Sequence, residues 1–434
     1  MSFLGMRSLF ASSSRSICRQ TPLPLKSQRL THHRWNSSAP EPTRHPIGRI
    51  TPKRIAVRIP RSTGQESQGI PSASIWRPIV FCLALGGGGY VFAAWYTNKD
   101  TEYWSARLGA GKWWARGRGS QPSDREMVRA KVLDGAKHAQ QSANSLAKNL
   151  SFLPNALSTP IVRLYVLAEE YVLNTPPAQL APTLLLPYLG GVFIAWRLRR
   201  LEPFMRKWFL HRPVVFSAPR QKWQETVTLF TSTVSHQSFP HLAFNSIALC
   251  SFGAAAFSYL ASPPPDTPRI ASSTHTPHFY AFLLTAGLAS SLASHLWTNL
   301  VRLPRLVRLL NNPARLSSPQ ALAAQQGVMP SLGASGAIYA ALTLTACAFP
   351  DTSVGLIFIP FFSLPIGLGV AGMVTFDIIG LIRGWRAFDH VAHLGGAIFG
   401  VLYYQYGRQA WYWVRRKLQG LESESEAVSH PPRL

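Results

Sequence analysis

The chain has 434 residues, 47% of them hydrophobic and only 14% charged, with a formal net charge of +26. An ordinary soluble domain is about a quarter charged, so the composition points to a membrane protein and away from a soluble enzyme. The basic excess lies in an N-terminal arm and beside apolar segments, the pattern of juxtamembrane charge rather than of a nucleic-acid surface. Cys18, Cys82, Cys250 and Cys347 are far apart and offer neither a ligand spacing nor a disulfide framework.

Residues 1–40 lack Asp and Glu and carry Arg7, Arg15, Arg19, Lys26, Arg29 and Arg34 among many Ser and Thr. That is the composition of a mitochondrial presequence. Basic character continues to Arg77, with 13 basic and 2 acidic residues over 1–77, so this stretch is read as presequence and unstructured arm. Residues 78–96 are the first spanning candidate, closed by Trp95 and Tyr96 as an interfacial anchor. Residues 97–179, with helical patterns near 125–150 and 160–171, read as a helical linker added to the core. The core, 180–406, is expected as six helices: 180–196, 239–261, 279–300, a short one from Ser335 to Phe349, 361–382 and 388–406. Between the first two, 201–238 mixes Trp208 and Phe209 with Arg206 and Lys207 like a segment half sunk in the interface. A polar tail, 407–434, opens with Arg415, Arg416 and Lys417 among its basic residues. The fold class is therefore an all-α polytopic membrane protein with six core helices and one additional N-terminal transmembrane helix.

The short helix carries the chemistry. At 1.5 Å per residue it covers only about 22 Å, against roughly 30 Å of hydrocarbon. With its C-terminal end at one interface, Ser335 lies below the other surface, reachable only through a protein-lined cavity, and the polar stretch 325–331 before it is expected to dip in as irregular backbone. A hydroxyl between Gly333 and Gly336 at the start of such a helix suits a nucleophile, although small residues there also serve close packing. His393 lies less than one turn before Gly396, and Gly396 with Gly400 makes a face that admits another helix. An imidazole at membrane depth is costly and needs a reason. Packing of that face on the Ser335 helix, where Gly336 and Ala340 are equally small, brings imidazole and hydroxyl together as nucleophile and base. His241 and Asn245, four apart on one face of an apolar helix, are either an interhelical hydrogen-bonding pair or donors to an oxyanion. His390 and His393 with Asp389 lack a third ligand and a His-Glu-x-x-His spacing, so no metal and no cofactor is expected. Asp377, alone in an apolar segment, is read as a structural hydrogen-bonding group before a triad acid, and Asp389 as a cap before an orienting group.

The combination of Gly333-Ala334-Ser335-Gly336 with Tyr339, of Ala392-His393-Leu394-Gly395-Gly396 with Gly400, and of His241 with Asn245 resembles the rhomboid intramembrane serine proteases. The presequence, the extra helix and the run from Phe376-Asp377 through Trp385 to Phe388-Asp389-His390 look like the mitochondrial, presenilin-associated rhomboid-like branch. The resemblance covers about 180–406. It implies Ser335 as nucleophile, His393 as general base, Tyr339 stacked on the imidazole, and His241 and Asn245 at the oxyanion. It also implies a multi-pass protein of the mitochondrial inner membrane that cuts single-spanning membrane proteins in or near their transmembrane segments. Among those substrates it implies an inner-membrane dynamin-like GTPase and intermembrane-space precursors; the partners are these proteins and the lipid bilayer, with no nucleic acid. The rival expectation is a non-catalytic rhomboid-like protein that binds membrane clients, a class that typically loses the serine or the histidine.

Overall fold

The structure is a computed structural model that describes residues 75–109, 122–214, 222–265, 267–310, 330–356 and 359–420. The presequence expected at 1–40, the irregular backbone expected at 325–329 and the end of the tail lie outside the described residues. Helix α1 (Trp76–Gly109) is followed by α2 (Asp124–Asn149) and α3 (Asn155–Asn174), then by α4 (Pro177–Thr183) and α5 (Leu186–Arg197), which together make one span broken between Pro182 and Pro187. Short helices α6 (Glu202–Trp208) and α7 (Lys222–Thr231) lead to α8 (Phe239–Ala261) and α9 (Thr276–Trp297), which runs through a π-helical stretch into α10 (Leu303–Leu310). Then come α11 (Ser335–Ala348), strands β1 (Ser353–Leu356) and β2 (Ile359–Pro365), α12 (Ile366–Arg383), α13 (His390–Leu402) and, past a second π-helical stretch, α14 (Arg408–Gln419). Among the described residues, α1, α4–α5, α8, α9–α10 and α12 are long and apolar enough to cross a membrane, while α11 is the short apolar helix. The six-helix core with an additional N-terminal helix is thus present.

Three boundaries differ from expectation, each for a local reason. Residues 361–365 are strand, not helix, paired antiparallel so that Ser353 faces Pro365. A residue before proline is kept out of the helical region, so Leu364 before Pro365 delays α12 to Ile366. Helix α13 starts at His390, one residue after Asp389, whose carboxylate caps it by accepting from the Ala392 amide at 3.1 Å. The chain after Gly407 is no loose tail: α14 packs on α1, and Arg415 is fully buried, its Nε donating to Asn98 Oδ1 at 2.7 Å, Nη1 to Ser272 Oγ at 2.5 Å and Nη2 to the Ala271 carbonyl at 2.9 Å. Burial draws that guanidinium down to about 10.

The same junction shows that α1 and the linker are built into the core. Helix α1 continues thirteen residues beyond Tyr96, and in its extension Asp100 receives Lys131 from α2 and Ser273 from the α8–α9 connection. Asp124 at the start of α2 holds Arg269 at 2.7 Å and the Ser272 amide at 2.9 Å.

In the bilayer, lipid is as apolar as leucine, so helices associate by close packing and hydrogen bonds rather than by the hydrophobic effect. Helices α9, α11 and α13 follow that rule. A Cβ added at Gly396 would stand 2.0 Å from the Gly336 carbonyl oxygen, one at Gly400 2.3 Å from that of Ala340, and one at Gly336 1.8 Å from Ser290 Oγ. Thr343 Oγ1 donates across the same seam to the Ala397 carbonyl at 3.0 Å. Backbones this close fix the register of α11 against α13, and so fix where Ser335 meets His393.

Candidate active site

Ser335 is the first residue of α11, and the backbone before it is tied down. Gly333 has φ +124°, a conformation suited to glycine, and its amide donates to the Ser232 carbonyl at 2.8 Å. The Ala334 amide donates to His236 Nε2 at 3.4 Å, and Ser331 pairs with His211 in an isolated antiparallel bridge. The first turn of α11 has no side-chain cap among the described residues, so the positive end of the helix faces the space above Ser335.

His393 Nε2 stands 2.9 Å from Ser335 Oγ. Its Nδ1 lies 3.1 Å from Asp377 Oδ1. The same carboxylate receives His390 Nδ1 at 2.6 Å and, on Oδ2, the Tyr339 hydroxyl at 2.6 Å. Asp377 is fully buried; an isolated buried carboxylate would be costly, and three hydrogen bonds from neighbouring groups offset that cost. An ionised carboxylate only accepts, which places the His393 proton on Nδ1 and leaves the Nε2 lone pair aimed at the hydroxyl. Tyr339 also stacks on the His393 ring, centroids 4.4 Å apart and planes 11° from parallel. Ser335, His393, Tyr339 and Asp377 come from three helices, α11, α13 and α12.

A cavity of about 770 Å³ opens onto this line, with Ser335, His393, His241, Gly333 and Gly336 in its wall beside the hydroxyls of Ser290 and Ser294. The His241 ring lies against Gly333, where an added Cβ would be 2.6 Å from Cε1. Asn245 is placed differently: buried in α8, it donates from Nδ2 to the His241 carbonyl at 2.8 Å and does not line the cavity. The pair is joined through its own helix rather than by two side chains reaching Ser335. Asp389 acts as the cap of α13 and also receives Ser294 Oγ at 2.6 Å; it meets His393 only through its backbone carbonyl, at 3.1 Å from the His393 amide, and it is the Asp377 carboxylate that reaches the imidazole. His236, unremarked in the sequence, sits edge-on to His241 at 4.9 Å, and burial, reinforced by that neighbour, holds it down at about 4. Its spacing of five before His241 was the available signal.

Residues 220–409 match the family model described as the rhomboid domain. The chain is 29% identical over 226 residues to presenilin-associated rhomboid-like protein A, mitochondrial, of Danio rerio, covering 52% of this chain and 47% of the relative. It is 29% identical over 228 residues to the Homo sapiens presenilin-associated rhomboid-like protein, with 52% and 48% covered. Against Rhomboid protein 1, mitochondrial, of Saccharomyces cerevisiae it is 30% identical over 215 residues, 49% of each chain. The chain spans about half the length of the curated relatives it matches. No solved structure matches it. The matched rhomboid domain spans the helices that meet at Ser335 and His393, and over about half of its length the chain is similar to mitochondrial rhomboid proteins.

Proposed function

We propose that this chain is an intramembrane serine endopeptidase of the mitochondrial inner membrane that cleaves single-spanning proteins in or near their transmembrane segment. The observation that carries the reading is the 2.9 Å approach of His393 Nε2 to Ser335 Oγ in a cavity that admits water. As Oγ attacks the scissile carbonyl, Nε2 takes its proton; the resulting imidazolium then protonates the leaving amine, and a water, deprotonated by the same nitrogen, releases the acyl group. The oxyanion is met by the Ser335 amide at the helix N-terminus and by His241, with Asn245 fixing the His241 backbone. Asp377 acts through His393, holding its tautomer and facing the positive charge that forms. An intact helix hides its carbonyls, so substrates should unwind locally, with Gly, Ala or Pro near the cut. By kinship these include an inner-membrane dynamin-like GTPase and intermembrane-space precursors.

The test is cleavage of a model single-spanning substrate by the chain in liposomes, beside Ser335→Ala and His393→Ala. Cleavage by the parent and at least about 10³-fold less by either variant supports the reading; equal cleavage by all three sinks it. Retention of both Ser335 and His393 favours catalysis over the client-binding alternative, and labelling of Ser335 by a fluorophosphonate separates the two if no substrate is cut.

A further inference from the structure

The cavity over Ser335 carries a charge pattern that hydrolysis does not use. Among the described residues that line it are four arginines and one acidic residue, Asp389. Arg302 and Arg305 reach it from the helical stretch after α9, Arg383 and Arg386 from the connection between α12 and α13. The carboxylate, Asp389, is engaged by Ser294 and the Ala392 amide. Gly384, at φ +70°, ends α12 and turns the chain so that arginines before and after it line the same cavity.

Basic residues gather at the ends of membrane spans in general. Arg197, Arg199, Arg200 and Arg206 do so without lining the cavity. The four arginines come from two elements distant in sequence and line one cavity, where low-dielectric walls focus their field on whatever enters.

We propose that Arg302, Arg305, Arg383 and Arg386 select substrates with Asp or Glu in the stretch flanking the cleaved segment at the cavity mouth, and reject those with Lys or Arg there. This rests on the protease reading of Ser335. An acidic side chain on the entering strand gains charge-assisted hydrogen bonds to guanidinium, and a basic one meets repulsion, the negative half of specificity. The contacts lie away from the reacting carbonyl, so they act on capture and on KM rather than on the chemical step.

The experiment uses the full chain in neutral phosphatidylcholine liposomes and one model substrate in three versions, with two Asp, two Ala or two Lys in the flank. The expected kcat/KM order is Asp, Ala, Lys, with about fivefold between the extremes, carried by KM and shrinking as salt rises. Charge reversal in R305E/R386E inverts the order, and its cleavage of the Lys substrate shows that it is folded. If that variant cuts nothing, binding of the three labelled substrates to Ser335→Ala, with and without the reversal, decides. The same ranking in parent and reversed protein overturns the proposal. So does indifference to substrate charge with a loss on reversal confined to cardiolipin-containing liposomes, which would assign the arginines to lipid headgroups. Equal cleavage of all three substrates overturns selection and leaves the protease standing; charge-ranked binding to a parent that cuts none leaves selection standing and overturns the protease.

Discussion

The two ends of this molecule each bury one charged side chain completely, and they do so with different partners. At the Ser335 end Asp377 is held by His393, His390 and Tyr339, groups that can themselves give up or accept protons. At the other end Arg415 is held by Asn98, Ser272 and a backbone carbonyl, none of which titrates in the physiological range. The first arrangement can move a proton along a line that ends at Ser335; the second can only hold α1, α14 and the α8–α9 connection together. Burial of a charge therefore says little about function until the chemistry of its partners is read.

The comparison is broken most severely at the Ser335 end. Asp377→Asn keeps the shape but lets an amide donor face an imidazole donor, so kcat should fall by about 10²-fold or more with KM and helix content little changed; unchanged kcat, measured on the same substrate, would reduce Asp377 to a structural group. At the helix seam, Gly400→Val drives a branched side chain into the Ala340 carbonyl and Thr343. Thermal unfolding in detergent should show a loss on the order of 3 kcal/mol or more, with activity lost alongside. At the distal end, Arg415→Met leaves Asn98 and Ser272 without their donor, and should cost about 1–3 kcal/mol of stability while kcat per folded molecule stays at the parent value. A fall in kcat there would show that the two ends are coupled.

The smallest effect separates the two ends by pH. His236 titrates near 4 in the folded chain, below the roughly 6.5 of a free histidine. The fold thus favours its neutral form, and the stability this contributes is present above about pH 6.5 and lost as the pH falls toward 4. Going from pH 7 to 5 should cost on the order of 1–2 kcal/mol and loosen the backbone before Ser335. In His236→Gln that pH dependence should flatten, as read from melting curves; an identical slope in both proteins would place the titration elsewhere.

How much of this was legible in the sequence depends on the range of the interaction. The short helix at Ser335, the glycine spacing at Gly396 and Gly400 and the cap at Asp389 are local patterns, set within one or two turns, and they sufficed for the rhomboid resemblance and the six-plus-one helix plan. Asp377 was visible as an oddity in an apolar run, but its three partners sit on two other helices, and no periodicity predicts which of them it meets. Arg415 misled for the same reason: beside Arg416 and Lys417 it has the composition of a solvated tail, and only the contact with Asn98, far away in the chain, makes it the centre of a buried junction.

By itself, then, the sequence determined which segments enter the membrane, because hydropathy, helix length and proline position act locally, and it marked Ser335 and His393 as residues out of place in lipid. The tertiary structure decided what those residues do together. The backbone contact of Gly396 with Gly336 and of Gly400 with Ala340 sets the register of α13 on α11, which brings the imidazole to the hydroxyl, and the packing of α12 against both brings Asp377 to the imidazole.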